Sequence, residues 1–344
     1  MRALVLESNK SLNYQKVKMP TSVQDKAVLV RVKASGICGS DIVRGFGGKA
    51  YHYPLIMGHE FAGTVEESVA GSKYKQGDRV TVFPLLPCKR CEACLTGDFA
   101  QCTNYDYYGS RRDGGFAEFV SVPEENLFAL PDHVDLLHAA MTEPAAVALH
   151  GVRQVKVTIG STAVVYGCGP IGNMTAQWLR IAGCATVIVV DIDQPKLDIA
   201  RQMGFVTINS SDLDPVKTIY ELTTGHGADI AVEAVGHPAT FLNAVRSVGR
   251  MGQVVFMGNI QGKFEIGEVD FSNLLRKEIQ IFGTWNSKIT PEGIDDWSTV
   301  LKMMDKQLIV APLISHTPDL SDGVEIFNAI ANKQGSFNKV IFKI

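Results

Sequence analysis

The pattern of hydrophobic and polar positions divides the chain into two kinds of sequence. Up to about residue 145, short β-like runs are broken by glycine and proline, which is typical of an irregular β-rich domain. These runs lie at 27–32, 61–65, 78–82 and 116–120. Towards the C-terminus the pattern predicts a helix at 294–304 and then further strands.

The middle of the chain follows a different pattern, in which continuous runs rich in β-branched residues alternate with helical stretches. The runs cover 163–166, 186–190, 230–232, 253–256 and 278–281. Because such strands are apolar on both faces, they indicate a parallel sheet with helices on each side, and hence an α/β domain. A chain of 344 residues is long enough for this domain and the β-rich one.

Composition narrows the class of protein. The formal net charge of -3 gives no electrostatic basis for binding nucleic acid. No apolar run reaches the roughly 18 residues that a membrane helix requires. The apolar run at 1–6 is too short for a secretory signal, and it predicts a first β-strand instead. We therefore expect a cytoplasmic protein whose partners include neither nucleic acid nor a membrane.

A glycine-rich turn joins the first strand of the α/β domain to its helix. Gly167, Gly169 and Gly172 fit the pattern G-x-G-x-x-G, with Pro170 and Ile171 before the last glycine. In this context the first glycine permits the tight turn and the second lets the backbone approach a pyrophosphate. The third lets the helix pack closely on the strand, and the helix N-terminus faces the phosphate charge.

Asp191 ends the next strand and completes this nucleotide-binding pattern. Its carboxylate is expected to accept hydrogen bonds from the adenosine ribose and to repel a 2′-phosphate. The segment therefore predicts a doubly wound Rossmann domain that binds NAD rather than NADP. The alternative is a tight α/β turn that binds no ligand.

Four of the seven cysteines are clustered, which is unlike a secreted disulfide framework and favours a metal site. The cluster consists of Cys88, Cys91, Cys94 and Cys102, with the spacing C-x2-C-x2-C-x7-C. Four thiolates suit a closed tetrahedral zinc site, and we expect a structural zinc in a lobe at 84–105. An iron–sulfur cluster is the rival interpretation, but its motif continues with x3-C-P.

A second group of candidate ligands is dispersed along the chain. Cys38 precedes Gly39-Ser40-Asp41, and His59-Glu60 follows Gly58, while Glu143 lies before Pro144. Thiolate, imidazole and carboxylate form a plausible catalytic zinc set with one open position. Each residue also has an ordinary interpretation, such as a buried thiol or a turn. Spacing by itself does not join residues this far apart.

With these motifs, essentially the whole chain resembles the zinc-dependent medium-chain dehydrogenases. The resemblance implies a GroES-like catalytic domain at 1–145 and 286–344 and a Rossmann domain at 146–285. It also implies that Cys38, His59 and a third residue hold catalytic zinc, with Glu60 as an alternative or outer ligand. In classical alcohol dehydrogenases the third ligand is cysteine, whereas Glu143 here resembles the polyol dehydrogenase branch.

The family mechanism implied is hydride transfer from an alcohol to NAD, with zinc lowering the pKa of the substrate hydroxyl. Ser40 matches the family hydroxyl that passes the proton outward. Val43 stands where many relatives have a relay histidine, so the proton needs another route, for which water and Glu60 are candidates. The family is usually dimeric or tetrameric through the edge of the nucleotide-domain sheet, so we expect a homo-oligomer.

A closer resemblance, to dehydrogenases of polyol phosphates such as galactitol 1-phosphate, rests on the segments 84–88 and 108–118. It implies a small-molecule substrate that is oxidised to a keto-sugar phosphate. A phosphate requires fixed cations. The candidates near the active-site segments are Arg44, Lys49, Arg111 and Arg112.

Two other functions stay open at this point. One is a dehydrogenase of unphosphorylated sugar alcohols such as sorbitol, xylitol or arabitol, or of secondary alcohols. The other, from a different class, is a non-catalytic NAD-binding protein stabilised by zinc. The intact set of Cys38, His59, Glu143 and Ser40 favours an enzyme, because a binding module has no use for an open zinc site.

Overall fold

A computed structural model describes residues 1–20, 27–290 and 294–344. The strands among these residues are β1 Arg2–Ser8, β2 Ser11–Lys16, β3 Ala27–Gly36, β4 Leu55–Ile56, β5 Glu60–Glu67, β6 Arg79–Val82, β7 Leu85–Leu86, β8 Asp106–Tyr107, β9 Phe119–Pro123, β10 Leu127–Ala129, β11 Thr162–Tyr166, β12 Thr186–Asp191, β13 Val206–Asn209, β14 Ala228–Glu233, β15 Val248–Phe256, β16 Gln280–Gly283, β17 Ile314–His316 and β18 Lys339–Lys343. The α-helices are α1 Gly39–Phe46, α2 Glu92–Leu95, α3 Leu136–Ala139, α4 Thr142–Val152, α5 Pro170–Ala182, α6 Gln194–Gln202, α7 Pro215–Leu222, α8 Pro238–Ser247, α9 Glu268–Arg276, α10 Asp296–Met303 and α11 Gly323–Ala331.

The chain forms two compact units, the first comprising Met1–Glu143 with Lys288–Ile344 and the second Pro144–Ser287. Within the described part of the first unit, the main sheet has the order β10-β6-β5-β3-β18-β17, and β9 also pairs with β3. The C-terminal strand β18 runs antiparallel to β3, so the end of the chain completes a sheet that the first third begins. The β-rich domain expected from the sequence is confirmed.

Hydrophobic residues fill two clusters in this first unit. In the main sheet, Val28, Val30 and Val32 alternate along β3 and pack with Phe61 and other buried side chains. The alternation has the period of two that a half-buried strand requires. A second cluster joins Leu4 of β1 to Phe327 of α11 and to residues of β18. The first of these clusters packs against β3, and the candidate site lies at the C-terminal end of this strand.

The second unit, residues 144–287, is an α/β domain with a six-stranded parallel sheet in the order β13-β12-β11-β14-β15-β16. This order reverses beside the first strand of the unit, as in doubly wound nucleotide-binding sheets. The residues of β11 from Ala163 to Tyr166 are all buried, as expected for a strand covered on both faces. The α/β fold predicted from the sequence is confirmed.

Two strands of this sheet differ from the sequence interpretation. The strand β13 was not expected, since Ile208 is its only fully buried residue and its apolar run is weak. The run expected at 278–281 begins at Gln280 instead. Glu278 has a φ of 51°, in the left-handed region, so an extended strand cannot include it.

The edge of the α/β sheet formed by β16 is partly apolar and exposed. Ile281 of β16 is 38% exposed, and Val269, Phe271 and Leu275 of the preceding helix α9 are more exposed still. An exposed strand edge is a ready template for pairing with another chain. The oligomer expected through this edge stays a prediction. Among the described residues, no helix combines the length and apolar character that crossing a membrane requires.

Candidate active site

The first candidate metal group is built where β3 and β5 lie side by side. Cys38 follows the end of β3 as the N-cap residue of α1, and Glu60 begins β5. Gly36 of β3 is paired with Glu60, so the register brings Cys38 and His59 to the same end of the sheet. One ligand atom from each of Cys38, His59 and Glu60 lies within 4.8 Å of the others. The structure thus joins three of the dispersed candidates into one group.

Asp41 connects residues of this group through its carboxylate. Its fully buried carboxylate places Oδ1 3.5 Å from Nδ1 of His59 and accepts a hydrogen bond from Nη1 of Arg44 at 2.8 Å. The other oxygen, Oδ2, accepts a hydrogen bond from the backbone N–H of Cys38. With Nδ1 directed at Asp41, the Nε2 of His59 is the nitrogen available to a metal.

Neighbouring charges and burial shift the pKa values of His59 and Asp41 in opposite directions. Burial disfavours the charged imidazolium, but Asp41 and Cys38 outweigh it and hold the pKa of His59 well above its usual value. Burial likewise raises the pKa of Asp41, but His59 and Arg44 together lower it below its usual value. Asp41 therefore keeps a negative charge beside His59, which orients the ring and raises its basicity as a ligand.

Glu143 lies outside the group of three but is coupled to it. It is located in the first turn of α4, is 7% exposed, and accepts a hydrogen bond of 3.1 Å from the hydroxyl of Tyr107. Burial raises the pKa of Glu143 to about 7; His59 lowers it and Glu60 raises it. Burial and then Glu143 hold the pKa of Tyr107 well above its usual value. Tyr107 therefore keeps its proton, donates a hydrogen bond to Glu143 and positions that carboxylate.

The two residues considered for proton release, Ser40 and Val43, lie on α1. Ser40 is exposed in the first turn, and Val43 is 40% exposed. Glu60, the other candidate, is 1% exposed and pairs with the ammonium group of Lys339. Ser40 is therefore better placed than Glu60 to exchange a proton with solvent.

The four clustered cysteines form the second candidate metal group. One sulfur from each of Cys88, Cys91, Cys94 and Cys102 lies within 4.8 Å of the others. The sulfur of Cys94 is 3.5 Å from that of Cys91 and 3.9 Å from that of Cys88. A tetrahedral zinc with Zn–S bonds of about 2.3 Å separates its sulfurs by about 3.8 Å, so the residues fit zinc.

Local structure prepares these thiols unequally. Hydrogen bonds from the backbone at Thr103 and Cys94 lower the pKa of Cys91 to about 6. Burial raises the pKa of Cys94 to about 12. Cys91 therefore loses its proton more readily than Cys94, and a zinc ion would supply the charge that holds all four cysteines deprotonated.

Two positions of the glycine-rich turn require glycine for its conformation and close packing. Gly167 has a φ of 101°, which favours glycine. A Cβ on Gly172 would lie 1.9 Å from the carbonyl oxygen of Gly167, so the helix α5 could not pack this closely with any other residue. A Cβ on Gly169, the N-cap of α5, would meet no heavy atom within 4 Å, so the surface there is open for a ligand.

Asp191 has a contact that sequence reasoning did not find. Its Oδ2 accepts a hydrogen bond of 2.6 Å from the backbone N–H of Cys168 in the glycine-rich turn. Its Oδ1 accepts hydrogen bonds from the N–H groups of Ile192 and Asp193. The carboxylate therefore braces the turn, and its expected contact with the cofactor ribose stays a prediction.

The four phosphate candidates differ sharply in their surroundings. The guanidinium of Arg112 is paired with Asp106 at 2.7 Å, while Lys49 is exposed. Arg111 is stacked between Tyr105 and Tyr51, at 4.1 and 4.9 Å from the ring centroids. The Nε atoms of Arg44 and Arg111 are buried and, within the described residues, lack a hydrogen-bond partner. These two arginines retain unused donors.

Three residues around the first metal group were missed by sequence reasoning, and two of them, Asp41 and Lys339, are buried. Asp41 follows Cys38 by three residues and caps α1 reciprocally with it, a capping pattern that could have drawn attention to it. Tyr107 and Lys339 had no comparable local signal, since they approach from distant parts of the chain.

Comparison with known proteins places this arrangement in a family. The model of the alcohol dehydrogenase GroES-like domain matches residues 24–132, and that of the zinc-binding dehydrogenase domain matches 170–306. Galactitol 1-phosphate 5-dehydrogenase from Escherichia coli is 32% identical over 92% of both chains. Sorbitol dehydrogenase from Bacillus subtilis is 32% identical over 86% of this chain and 85% of its own.

Solved structures agree with the sequence matches. The crystal structure of galactitol-1-phosphate dehydrogenase from Escherichia coli covers 100% of both chains with a TM-score of 0.93 and 31% identity. A protein from Sinorhizobium meliloti 1021, crystallised with NADP, covers 100% of this chain and 99% of its own, with a TM-score of 0.90 and 31% identity. The chain belongs to the zinc-dependent medium-chain dehydrogenases, in the polyol dehydrogenase family, and is an oxidoreductase that uses zinc and a nicotinamide cofactor.

Proposed function

We propose that the protein oxidises a secondary hydroxyl of a polyol phosphate to a keto-sugar phosphate with NAD, and catalyses the reverse reaction. The observation that carries this proposal is the shared carboxylate of Asp41, whose Oδ1 contacts both Nδ1 of His59 and the guanidinium of Arg44. Arg44, a cation that can bind phosphate, thus contacts the same carboxylate as His59, one of the residues proposed to hold the catalytic zinc. The similarity to galactitol 1-phosphate 5-dehydrogenase supports the same substrate class.

The chemistry divides between the cofactors and the chain. When bound by Cys38, His59 and Glu143, zinc supplies a Lewis acid that makes the substrate hydroxyl more acidic. The hydroxyl proton leaves through Ser40 to water, because Val43 offers no titratable group. Bound NAD would supply the nicotinamide ring that accepts a hydride from the carbinol carbon of the substrate. Asp41 and Tyr107 hold the ligands His59 and Glu143 in position throughout.

Arg44 is the residue that we propose to recognise the substrate phosphate. Its Nη1 is anchored on Asp41, which fixes the guanidinium, while its buried Nε has an unused donor. A fixed guanidinium binds phosphate with less loss of side-chain entropy than a free lysine such as Lys49. Arg111 is the second candidate, since its Nε is also unpartnered within the described residues and its stacked ring neighbours hold it in place.

Arg44→Ala should discriminate between a polyol and its phosphate. A charged hydrogen bond contributes about 1.5–3 kcal/mol, so kcat/KM for the phosphorylated substrate should fall at least about tenfold more than for the unphosphorylated one. The comparison of the two substrates controls for a general loss of activity that follows from losing the contact between Arg44 and Asp41, because such a loss affects both substrates equally. Steady-state kinetics on a matched pair provides the measurement.

Arg112→Ala is the control for this experiment, because its guanidinium is already committed to Asp106. It should leave the preference between the two substrates unchanged. An equal loss on both substrates in Arg44→Ala would remove Arg44 from phosphate recognition. If the wild-type protein itself showed equal kinetics with both, a sorbitol-type activity on unphosphorylated polyols would be the better description.

The choice of NAD over NADP depends on Asp191, because a structural relative is seen with NADP and the family itself does not decide. Asp191→Asn keeps an acceptor for the N–H of Cys168 but removes the negative charge that would repel a 2′-phosphate. We expect the preference for NAD over NADP to fall at least about tenfold, corresponding to about 1.4 kcal/mol.

Cofactor kinetics at saturating substrate measure this preference. Asp198→Asn is a suitable control, since that carboxylate lies on α6 and pairs with Arg201. It should not change the ratio of kcat/KM for the two cofactors. A ratio in Asp191→Asn that equals the wild-type ratio would contradict the assigned role of Asp191.

A further inference from the structure

Lys339 forms a buried ion pair with a candidate metal ligand. The residue begins β18 and is 3% exposed. Its ammonium group donates one hydrogen bond to the carbonyl oxygen of Ile37, at 3.0 Å, and another to Oε2 of Glu60. The side chains of Lys339 and Glu60 are 4% and 2% exposed, so the pair is separated from solvent.

The strand β3 is shaped to admit this pair. Gly36 of β3 is paired with Glu60 on one side and with Ile341 of β18 on the other. A Cβ on Gly36 would lie 2.4 Å from Oε2 of Glu60 and 3.0 Å from Cε of Lys339. The missing side chain therefore leaves the space in which the two charged groups meet across the middle strand.

A buried ion pair is weak evidence for stability, because desolvation offsets most of the attraction between the charges. The position of this pair suggests a different role. An oxygen of Glu60 lies within 4.8 Å of the ligand atoms of Cys38 and His59, while Oε2 is bound by Lys339. The same carboxylate is thus within reach of both a metal ion and a fixed cation.

We propose that Lys339 is a positioning residue that competes with the metal ion for the carboxylate of Glu60. This proposal rests on the catalytic zinc site proposed above. If Glu60 joined Cys38, His59 and Glu143 permanently, four protein ligands would close a tetrahedral site and leave no position for the substrate. The ammonium group of Lys339 binds one oxygen of Glu60 and draws electron density away from the carboxylate. Glu60 is therefore a weaker metal ligand, which the substrate can displace.

Removing the charge of Lys339 should convert Glu60 into a permanent ligand. In Lys339→Met, with Co²⁺ replacing zinc, we expect the visible absorption of the catalytic-site metal to change and its release to a chelator to slow at least about tenfold. Changes in the surroundings of metal ligands commonly alter affinity or activity about 10- to 100-fold. The four-cysteine cluster contributes the same background absorption in every variant.

Further variants separate this role from a purely structural one. Lys339→Met with Glu60→Gln removes both charges and should return the absorption and the release rate towards wild-type values. Lys339→Gln keeps a donor for the carbonyl of Ile37 and takes the place of Lys339→Met if that variant does not fold. Lys343→Met, an exposed change on the same strand, should behave as wild type.

Two results would overturn the proposal, and they are distinguishable. Wild-type absorption and release rate in folded, metal-loaded Lys339→Met and Lys339→Gln would show that Lys339 does not control Glu60. A wild-type protein that binds Co²⁺ only at the four-cysteine cluster would instead overturn the proposed catalytic site, and the role of Lys339 with it.

Discussion

Cys38→Ala should yield a folded chain that holds one zinc ion instead of two and has lost at least about a thousandfold in kcat. The sulfur of Cys38 lies within 4.8 Å of the ligand atoms of His59 and Glu60, in a group that can hold a metal. A Lewis acid contributes several kcal/mol of transition-state stabilisation, and about 4 kcal/mol corresponds to that factor in rate. The fold should survive, because Cys38 is an N-cap residue at the end of β3 and not part of either hydrophobic cluster described above.

Zinc content per chain and turnover, measured on the same preparation, test this expectation. Cys184→Ala is the matched control, since Cys184 is a buried thiol of the α/β unit outside both metal groups. It should retain two zinc ions and wild-type turnover. A Cys38→Ala variant with two zinc ions and normal kcat would contradict the assignment of Cys38 as a catalytic ligand.

Cys94→Ser should have its largest effect on stability. The cluster is located between β7 and β8, where the regular structure consists of these two short strands, the four-residue helix α2 and one 3-10 turn at Phe99–Gln101. Because these short elements bury little apolar surface, metal binding has to supply the folding free energy of the segment. We expect a loss of at least about 4 kcal/mol, which lowers Tm by about 8–16 °C in a unit of this size.

Thermal unfolding monitored with zinc release measures this effect. The catalytic-site metal should be retained in whatever fraction of Cys94→Ser remains folded, so the two metal sites can be told apart. Cys184→Ser is the control, because it replaces a buried thiol that belongs to neither metal group. A Tm for Cys94→Ser equal to that of this control would show that the four cysteines are not a structural metal site.

The parts of the site that could be predicted from the sequence are those that residues close together in the chain determine. The glycine-rich turn, Asp191 and the four cysteines are short-range patterns, and each pattern follows from the geometry of one turn or one ion. The two-domain fold was predictable for the same reason, since continuous and alternating hydrophobic runs report burial directly.

The remaining parts depend on contacts between distant residues. Cys38 and His59 meet because β3 and β5 pair in one particular register, which spacing does not specify. Lys339 is 279 residues away from Glu60 and reaches it only because β18 returns to pair with β3. Tyr107 reaches Glu143 across 36 residues of chain. Nothing local distinguishes such a lysine or tyrosine from an ordinary one.

The formation of NADH by the wild-type protein, followed by absorbance with polyols and their matched phosphate esters, tests the central claim most directly. NADH should form from NAD with a polyol phosphate as substrate, with a higher kcat/KM than for the same polyol without phosphate. A chelator that removes the catalytic-site metal should abolish the reaction. The absence of NADH formation with every polyol and polyol phosphate by a protein containing two zinc ions would contradict this claim.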